Sequence, residues 1–183
     1  MFRFEELKVD GCYLITPMVL MEDKCDFIKI FNNTQFNIYG LSTEFKEECY
    51  AIAKPGVVRG IHFQKPPEEH DKLVTCLSGS IQDVVVDLRK NSRTFGKYTM
   101  VELNENNKNI IYIPKGCAHG YYIKGEKTAI IYYKVTKPYI LELRDGIHWS
   151  SLDIPWDFLG KHEVEVEEED KTWPKFEDFQ SPF

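Results

Sequence analysis

The chain contains no Cys-x-x-Cys pair, no excess of basic residues, and no apolar run near the roughly 18 to 20 residues that a membrane-spanning helix needs. Each absence excludes a class. The five cysteines, Cys12, Cys25, Cys49, Cys76 and Cys117, are odd in number and widely spaced, so they read as reduced thiols and not as a disulfide framework or zinc site. The formal charge is −6; from Asp157 onward nine acids face three bases, leaving twenty of each sign before that point. A neutral body with an acidic tail lacks the basic stripe of a nucleic-acid binder, although a few local cations would still suffice for a phosphate-bearing small ligand. Met1 to Lys8 alternates charged and aromatic residues without the apolar core of a signal peptide. The expectation is a soluble cytoplasmic protein with no membrane partner.

What is present points to strands. At 183 residues with 43% hydrophobic content, the chain is read as one domain, 1–183, able to build a substantial core. Leu7–Val9 and Cys12–Leu20 read as short strands, Phe27–Phe31 as a half-buried strand, Asn32–Ser42 as loop, and Thr43–Ala53 as strand or helical turn. Lys72–Leu77 and the Val-rich Ile81–Leu88 flank Ser78-Gly79-Ser80 and read as a hairpin. Lys97–Leu103 and Ile110–Ile113 follow as strands. Tyr121–Ile123 and Thr128–Val135 suggest another hairpin, and Leu141–Leu143 a last strand. Many short strands and frequent turns indicate an all-β sandwich or barrel. The acidic segment 157–183 reads as irregular, with a helical turn around Phe176–Phe179.

The chemistry concentrates between Gly56 and Lys72. A strand with apolar Val57, Ile61 and Phe63 carries Arg59 and His62, ends at Lys65-Pro66-Pro67, and is followed by Lys72. Two cations and an imidazole delivered to one region suit an anionic ligand and proton chemistry. A lone strand histidine would more often be a satisfied core residue. Further on, Pro114-Lys115-Gly116-Cys117-Ala118-His119 resembles the second motif of the cupins, double-stranded β-helix (jelly-roll) barrels in which that His points inward. The first cupin motif places a second metal-binding His where this chain has Gln64, so a three-ligand metal site is poorly supplied and a cupin barrel with no metal or cofactor is expected.

Val57-Val-Arg-Gly-Ile-His-Phe-Gln64, Lys72-Leu-Val74, Asp83-Val-Val-Val-Asp-Leu-Arg89, Thr94-Phe-Gly96, the Pro114–Gly120 run and Tyr133-Lys-x-Thr136 together resemble the dTDP-4-dehydrorhamnose 3,5-epimerase family, over roughly Val9 to Asp178. The resemblance implies inversion of C3, C5 or both on a nucleotide-diphosphate-linked 4-keto-6-deoxy sugar through an enolate, in surface polysaccharide biosynthesis. It implies His62 as base, Tyr133 as acid on the opposite face, Lys72 as stabiliser of the developing O4 oxyanion, and Asp170 as the carboxylate that orients His62. Arg59, His119 and Gln64 would bind substrate, with Asp83 orienting one of the cations. It also implies a homodimer in which residues 1–31 exchange strands, setting Lys24 and Phe27 beside the partner's site.

The periphery departs from the family pattern. Lys24 stands where Arg is usual and loses its bidentate fork; Lys29 reverses a charge; Glu47-Glu48-Cys49 replaces Gln-Asp-Asn; Pro138 replaces a common Tyr. These departures favour a GDP-linked substrate, hexose or heptose, with a dTDP-4-dehydrorhamnose 3,5-epimerase proper as the alternative. A sugar-binding cupin without catalysis is the competing reading from another class, and a metal-dependent cupin enzyme another.

Overall fold

The computed structural model describes residues 1–158 and 164–183. Two sheets face one another in a jelly-roll arrangement. One is built, in spatial order, from β1 (Arg3–Glu6), β2 (Tyr13–Thr16), β10 (Ile110–Ile113), β7 (Lys72–Ser78), β12 (Ala129–Val135) and β5 (Glu47–Ala53). The other runs β13 (Arg144–Gly146), β6 (Val57–Gln64), β11 (Cys117–Lys124), β8 (Ser80–Asp87), β9 (Tyr98–Asn104), with β14 (Glu165–Val166) parallel to β6. A separate ribbon pairs β3 (Met18–Glu22) with β4 (Cys25–Lys29). The only α-helix among the described residues is α1 (Asn33–Ile38).

The Val-rich β8 sits inside its sheet, and every residue from Ile81 to Asp87 is buried. Ile81 and Val85 point between the sheets, against Val74, Cys76, Ile111 and Ile131. Val84 and Val86 point to the opposite face, where Val58, Phe63, Ile147 and Trp156 meet Phe176, Phe179 and Phe183 of the C-terminal segment. A strand covered on both faces shows a continuous apolar run in place of alternation, and each such buried side chain contributes about 1.5–3 kcal/mol. The acidic tail thus packs three phenylalanines onto the back of the second sheet, with the expected short helical turn at Phe176–Asp178.

The two anticipated hairpins are not formed. β7 pairs with β10 and β12, whereas β8 pairs with β9 and β11; likewise β11 and β12 lie in different sheets. Gly79 turns the chain from one sheet into the other at φ +78°, and a Cβ there would lie 2.9 Å from the Ala129 Cα. The apolar faces of β7 and β8 therefore meet across the interior.

Other differences are local. Leu7–Val9 is not a strand. Residues 33–38 form a helix capped by Asn32, whose side chain accepts the Gln35 N–H at 3.0 Å, and which buries Phe36 against Phe2, Ile15 and Leu73. Leu141–Leu143 is a 3-10 turn leading into β13. β4 is exposed along its length, so the expected half-buried strand is a solvent-facing ribbon. Cys12, Cys76 and Cys117 are buried, Cys25 and Cys49 exposed, and all five are free thiols. No helix among the described residues is long and apolar enough to cross a membrane.

Candidate active site

A cavity of about 350 Å³ opens between the two sheets. The second sheet contributes Arg59 and His62 from β6 and His119 and Tyr121 from β11; the first contributes Lys72 from β7, Tyr133 and Val135 from β12, and Glu47 and Cys49 from β5. His62 and Tyr133 thus reach the cavity from opposing sheets.

Arg59 and His62 are three residues apart, a spacing that regular alternation would send to opposite faces. A bulge resolves this. Opposite β11, His62 pairs with His119 and Arg59 with Tyr121, so β6 holds one extra residue and the ladder slips between the two pairs. Gly60 makes the slip possible. It has φ +107°, and a Cβ there would stand 2.7 Å from the His119 carbonyl oxygen and 2.8 Å from the Gly120 Cα. Gly60→Ala is therefore expected to destabilise the fold by at least about 1–3 kcal/mol and to misplace His62; a lower urea midpoint with weakened activity would show it, and an unchanged midpoint would contradict the account.

Asp170 is completely buried and reaches His62 from the C-terminal segment. One carboxylate oxygen meets His62 Nε2, the other accepts the Gly60 N–H at 2.8 Å, and the Trp173 indole N–H donates at 3.3 Å. Arg144 lies 3.8 Å away. Burial alone would raise the Asp170 pKa, but these hydrogen bonds outweigh it and hold the carboxyl below its ordinary value. For His62, burial is the larger influence and lowers its pKa in spite of Asp170. The imidazole is therefore neutral near pH 7, with Nε2–H donated to Asp170 and the Nδ1 lone pair left to accept a proton.

Lys72 is half-buried on the cavity wall, and this burial brings its pKa down to about 8, with Asp83 acting the other way. It remains largely charged at pH 7. Burial holds the Tyr133 hydroxyl well above the ordinary tyrosine pKa, with Tyr121 reinforcing the effect, so it is a protonated donor. His119 meets the fully buried Asp83 at 2.7 Å, making a second His–carboxylate pair. An imidazole with a free lone pair facing a protonated phenol across a cavity that also holds a desolvated ammonium and a guanidinium can remove a proton from one face of a substrate and return one to the other.

The family model for dTDP-4-dehydrorhamnose 3,5-epimerase matches residues 6–178. The chain belongs to that family. It is 36% identical to the dTDP-4-dehydrorhamnose 3,5-epimerase of Methanothermobacter thermautotrophicus over 94% of this chain and 93% of that protein. The crystal structure of the Elizabethkingia anophelis enzyme of the same name superposes with a TM-score of 0.88 at 34% identity, covering 97% of each chain. The Legionella pneumophila dTDP-6-deoxy-D-glucose-3,5-epimerase, solved with dTDP-4-keto-L-rhamnose, gives a TM-score of 0.90 at 28% identity over 98% of this chain and 95% of that one. The protein is therefore an epimerase, an isomerase on the cupin-type jelly roll.

Among the residues expected to contact substrate, Gln64 sits behind the main cavity, and Lys24 and Phe27, expected beside a partner's site, stand apart from this chain's own cavity. Gln64 is buried and fully engaged: its amide N–H groups donate to the carbonyls of Glu68 at 2.7 Å and Pro138 at 3.0 Å, and its oxygen accepts the Ile140 N–H at 2.7 Å. It braces two loops behind the cleft formed by Arg59, His62 and Lys72. Lys24 and Phe27 lie on the exposed β3–β4 ribbon and do not line this chain's cavity. Asp83 stands behind His119, consistent with orienting a cation but out of the cavity wall.

Other residues were missed. Tyr121 lines the cavity and accepts the Tyr133 hydroxyl at 2.8 Å; it lies two residues beyond His119 on one strand, so alternation from His119 would have found it. Arg144 and Trp173 hold Asp170 without any sequence signal. His70, which has no partner pattern in the sequence, stands on the cavity wall, where burial lowers its pKa to about 3 and keeps it neutral. Tyr139 lines the cavity beside Pro138, and the His148 imidazole bonds the neighbouring Ser150. His162 lies outside the described residues. No group of three or more His, Cys, Asp and Glu side chains among the described residues is placed to hold a metal ion.

Proposed function

We propose that the protein inverts C3 and C5 of a dTDP-linked 4-keto-6-deoxy-hexose, the dTDP-4-dehydrorhamnose 3,5-epimerase reaction. The observation that carries the reading is the opposition of His62, paired with Asp170, and Tyr133 across one cavity. The C4 carbonyl acidifies the neighbouring protons. His62 Nδ1 takes one of them, the enolate oxygen is neutralised by Lys72, and Tyr133 donates a proton to the opposite face. Arg59 and His119 engage sugar and phosphate oxygens. Non-catalytic sugar binding would need no such opposed base and acid.

The preference for a GDP-linked heptose has less support: the family model and the relatives above carry dTDP-sugar names. Glu47 and Cys49, two of the departures from the family pattern, do stand on the cavity wall, which makes the nucleotide worth testing directly. The proposal includes a homodimer in which the β3–β4 ribbon packs against the partner. Phe27 is 54% and Met21 82% exposed in the single chain, an apolar surface that a second copy would cover.

The test is conversion of matched dTDP-linked and GDP-linked 4-keto-6-deoxy sugars, followed by product analysis. Turnover of the dTDP sugar at least about tenfold faster in kcat/KM, equivalent to roughly 1.4 kcal/mol of transition-state discrimination, is expected. Preference for the GDP sugar would instead support the GDP-linked substrate suggested by Lys24 and Glu47-Glu48-Cys49. Binding of both without turnover would remove the epimerase assignment.

A further inference from the structure

The acid of this site does not stand alone. Tyr133 donates its hydroxyl hydrogen to the Tyr121 oxygen at 2.8 Å, and the two rings lie 6.5 Å apart at 33°. Tyr121 is 3% exposed and fixed on β11 directly opposite Arg59; burial raises its pKa on balance, with the Tyr133 hydrogen bond and the Arg59 charge acting the other way. When Tyr133 gives up its proton, its oxygen becomes a phenolate in a buried pocket. An unpaired charge there would strongly oppose the transfer. The nearest hydroxyl already in contact is that of Tyr121, which needs only to rotate its O–H to change from acceptor to donor.

We propose that Tyr121 is a positioning residue for the acid, fixing the Tyr133 oxygen in place before its proton turns to the enolate and stabilising the Tyr133 phenolate after the transfer. The proton balance is complete. The Tyr133 O–H bond breaks as the new C–H bond forms on the enolate, and the phenolate regains a proton through Tyr121 from cavity water. On the other face, His62 releases to water the proton it took from the substrate. Arg59, across the ladder from Tyr121, favours the negative charge on the phenol pair. This inference rests on the epimerase reading and extends it to a residue that touches the acid and not the reacting carbon.

The test compares two outcomes of one enolate in deuterium oxide. Return of a solvent-derived deuteron from His62 gives exchange without inversion, whereas donation by Tyr133 gives inversion. Tyr121→Phe retains the ring and removes only the oxygen. The ratio of exchange to inversion is expected to rise about tenfold, the scale of one hydrogen bond to a charged group. In a Tyr133→Phe background, Tyr121→Phe should leave that ratio unmoved, because the two hydroxyls act as one unit. If Tyr121 serves packing alone, exchange and inversion will fall together and the ratio will not change, which overturns the inference while leaving the epimerase reading intact. Absence of exchange in the unaltered protein would overturn both.

Discussion

His62→Asn is expected to lower kcat about 100- to 10,000-fold with little change in KM, because it removes the base and leaves the groups that hold the substrate. Asparagine keeps a polar atom near Asp170 yet has no lone pair of suitable basicity. The pH profile makes the assignment sharper. Burial lowers the His62 pKa below the ordinary value of 6.5, and a general base acts in its neutral form. Activity should therefore rise with pH through a value below 6.5. An acid limb centred above 6.5 would mean that Asp170 dominates the imidazole, contrary to the balance described here. Retention of wild-type kcat by His62→Asn would remove His62 from the chemistry.

Lys72→Gln should produce the second large loss, about 100- to 1,000-fold in kcat, the usual scale for removing one preorganised donor to an oxyanion. Desolvation sets the pKa of Lys72 to about 8. The ammonium is required in its charged form, so activity should fall as pH rises through about 8, and this limb should be absent in the residual activity of Lys72→Gln. Lys72→Arg would keep a charge at all accessible pH values, but a planar guanidinium fits a single oxyanion less well and should recover only part of the rate. A change confined to KM would assign Lys72 to ground-state binding of the phosphates instead.

How much of this was legible in the sequence depended on the range of the interactions. The Val84-Val85-Val86 run announced a strand, and Pro114-x-Gly-x-x-His119 and the Arg59–His62 cluster identified the cavity-facing strands. Turn chemistry at Ser78-Gly79-Ser80 and at Lys124–Lys127 showed where the chain reverses. It did not show which strand comes to lie beside which, because that follows from burying two apolar faces against each other across the barrel. The six residues of α1 are too few for a helical period to emerge from the loop-like run Asn32–Ser42.

Within the site, the joint presence of Arg59 and His62 in one cavity depends on a bulge that a strand pattern does not reveal. Gln64 could not be told from a ligand by its position two residues after His62; its engagement comes from Glu68, Pro138 and Ile140, which approach from later loops. Asp170 was recoverable only through the family resemblance. Its contact with His62 spans 108 residues and requires the phenylalanines of the tail to dock on the back of β6 and its neighbours.

The central claim is that His62 and Tyr133 work on opposite faces of one enolate. Proton NMR of a dTDP-linked 4-keto-6-deoxy-hexose incubated with the protein in deuterium oxide tests it most directly. The account predicts loss of the C3 and C5 proton signals, with inverted product formed alongside. His62→Asn should abolish both exchange and inversion, and Tyr133→Phe should suppress inversion far more than exchange. Retention of both proton signals by the unaltered protein, under conditions where the sugar nucleotide is bound, would contradict it.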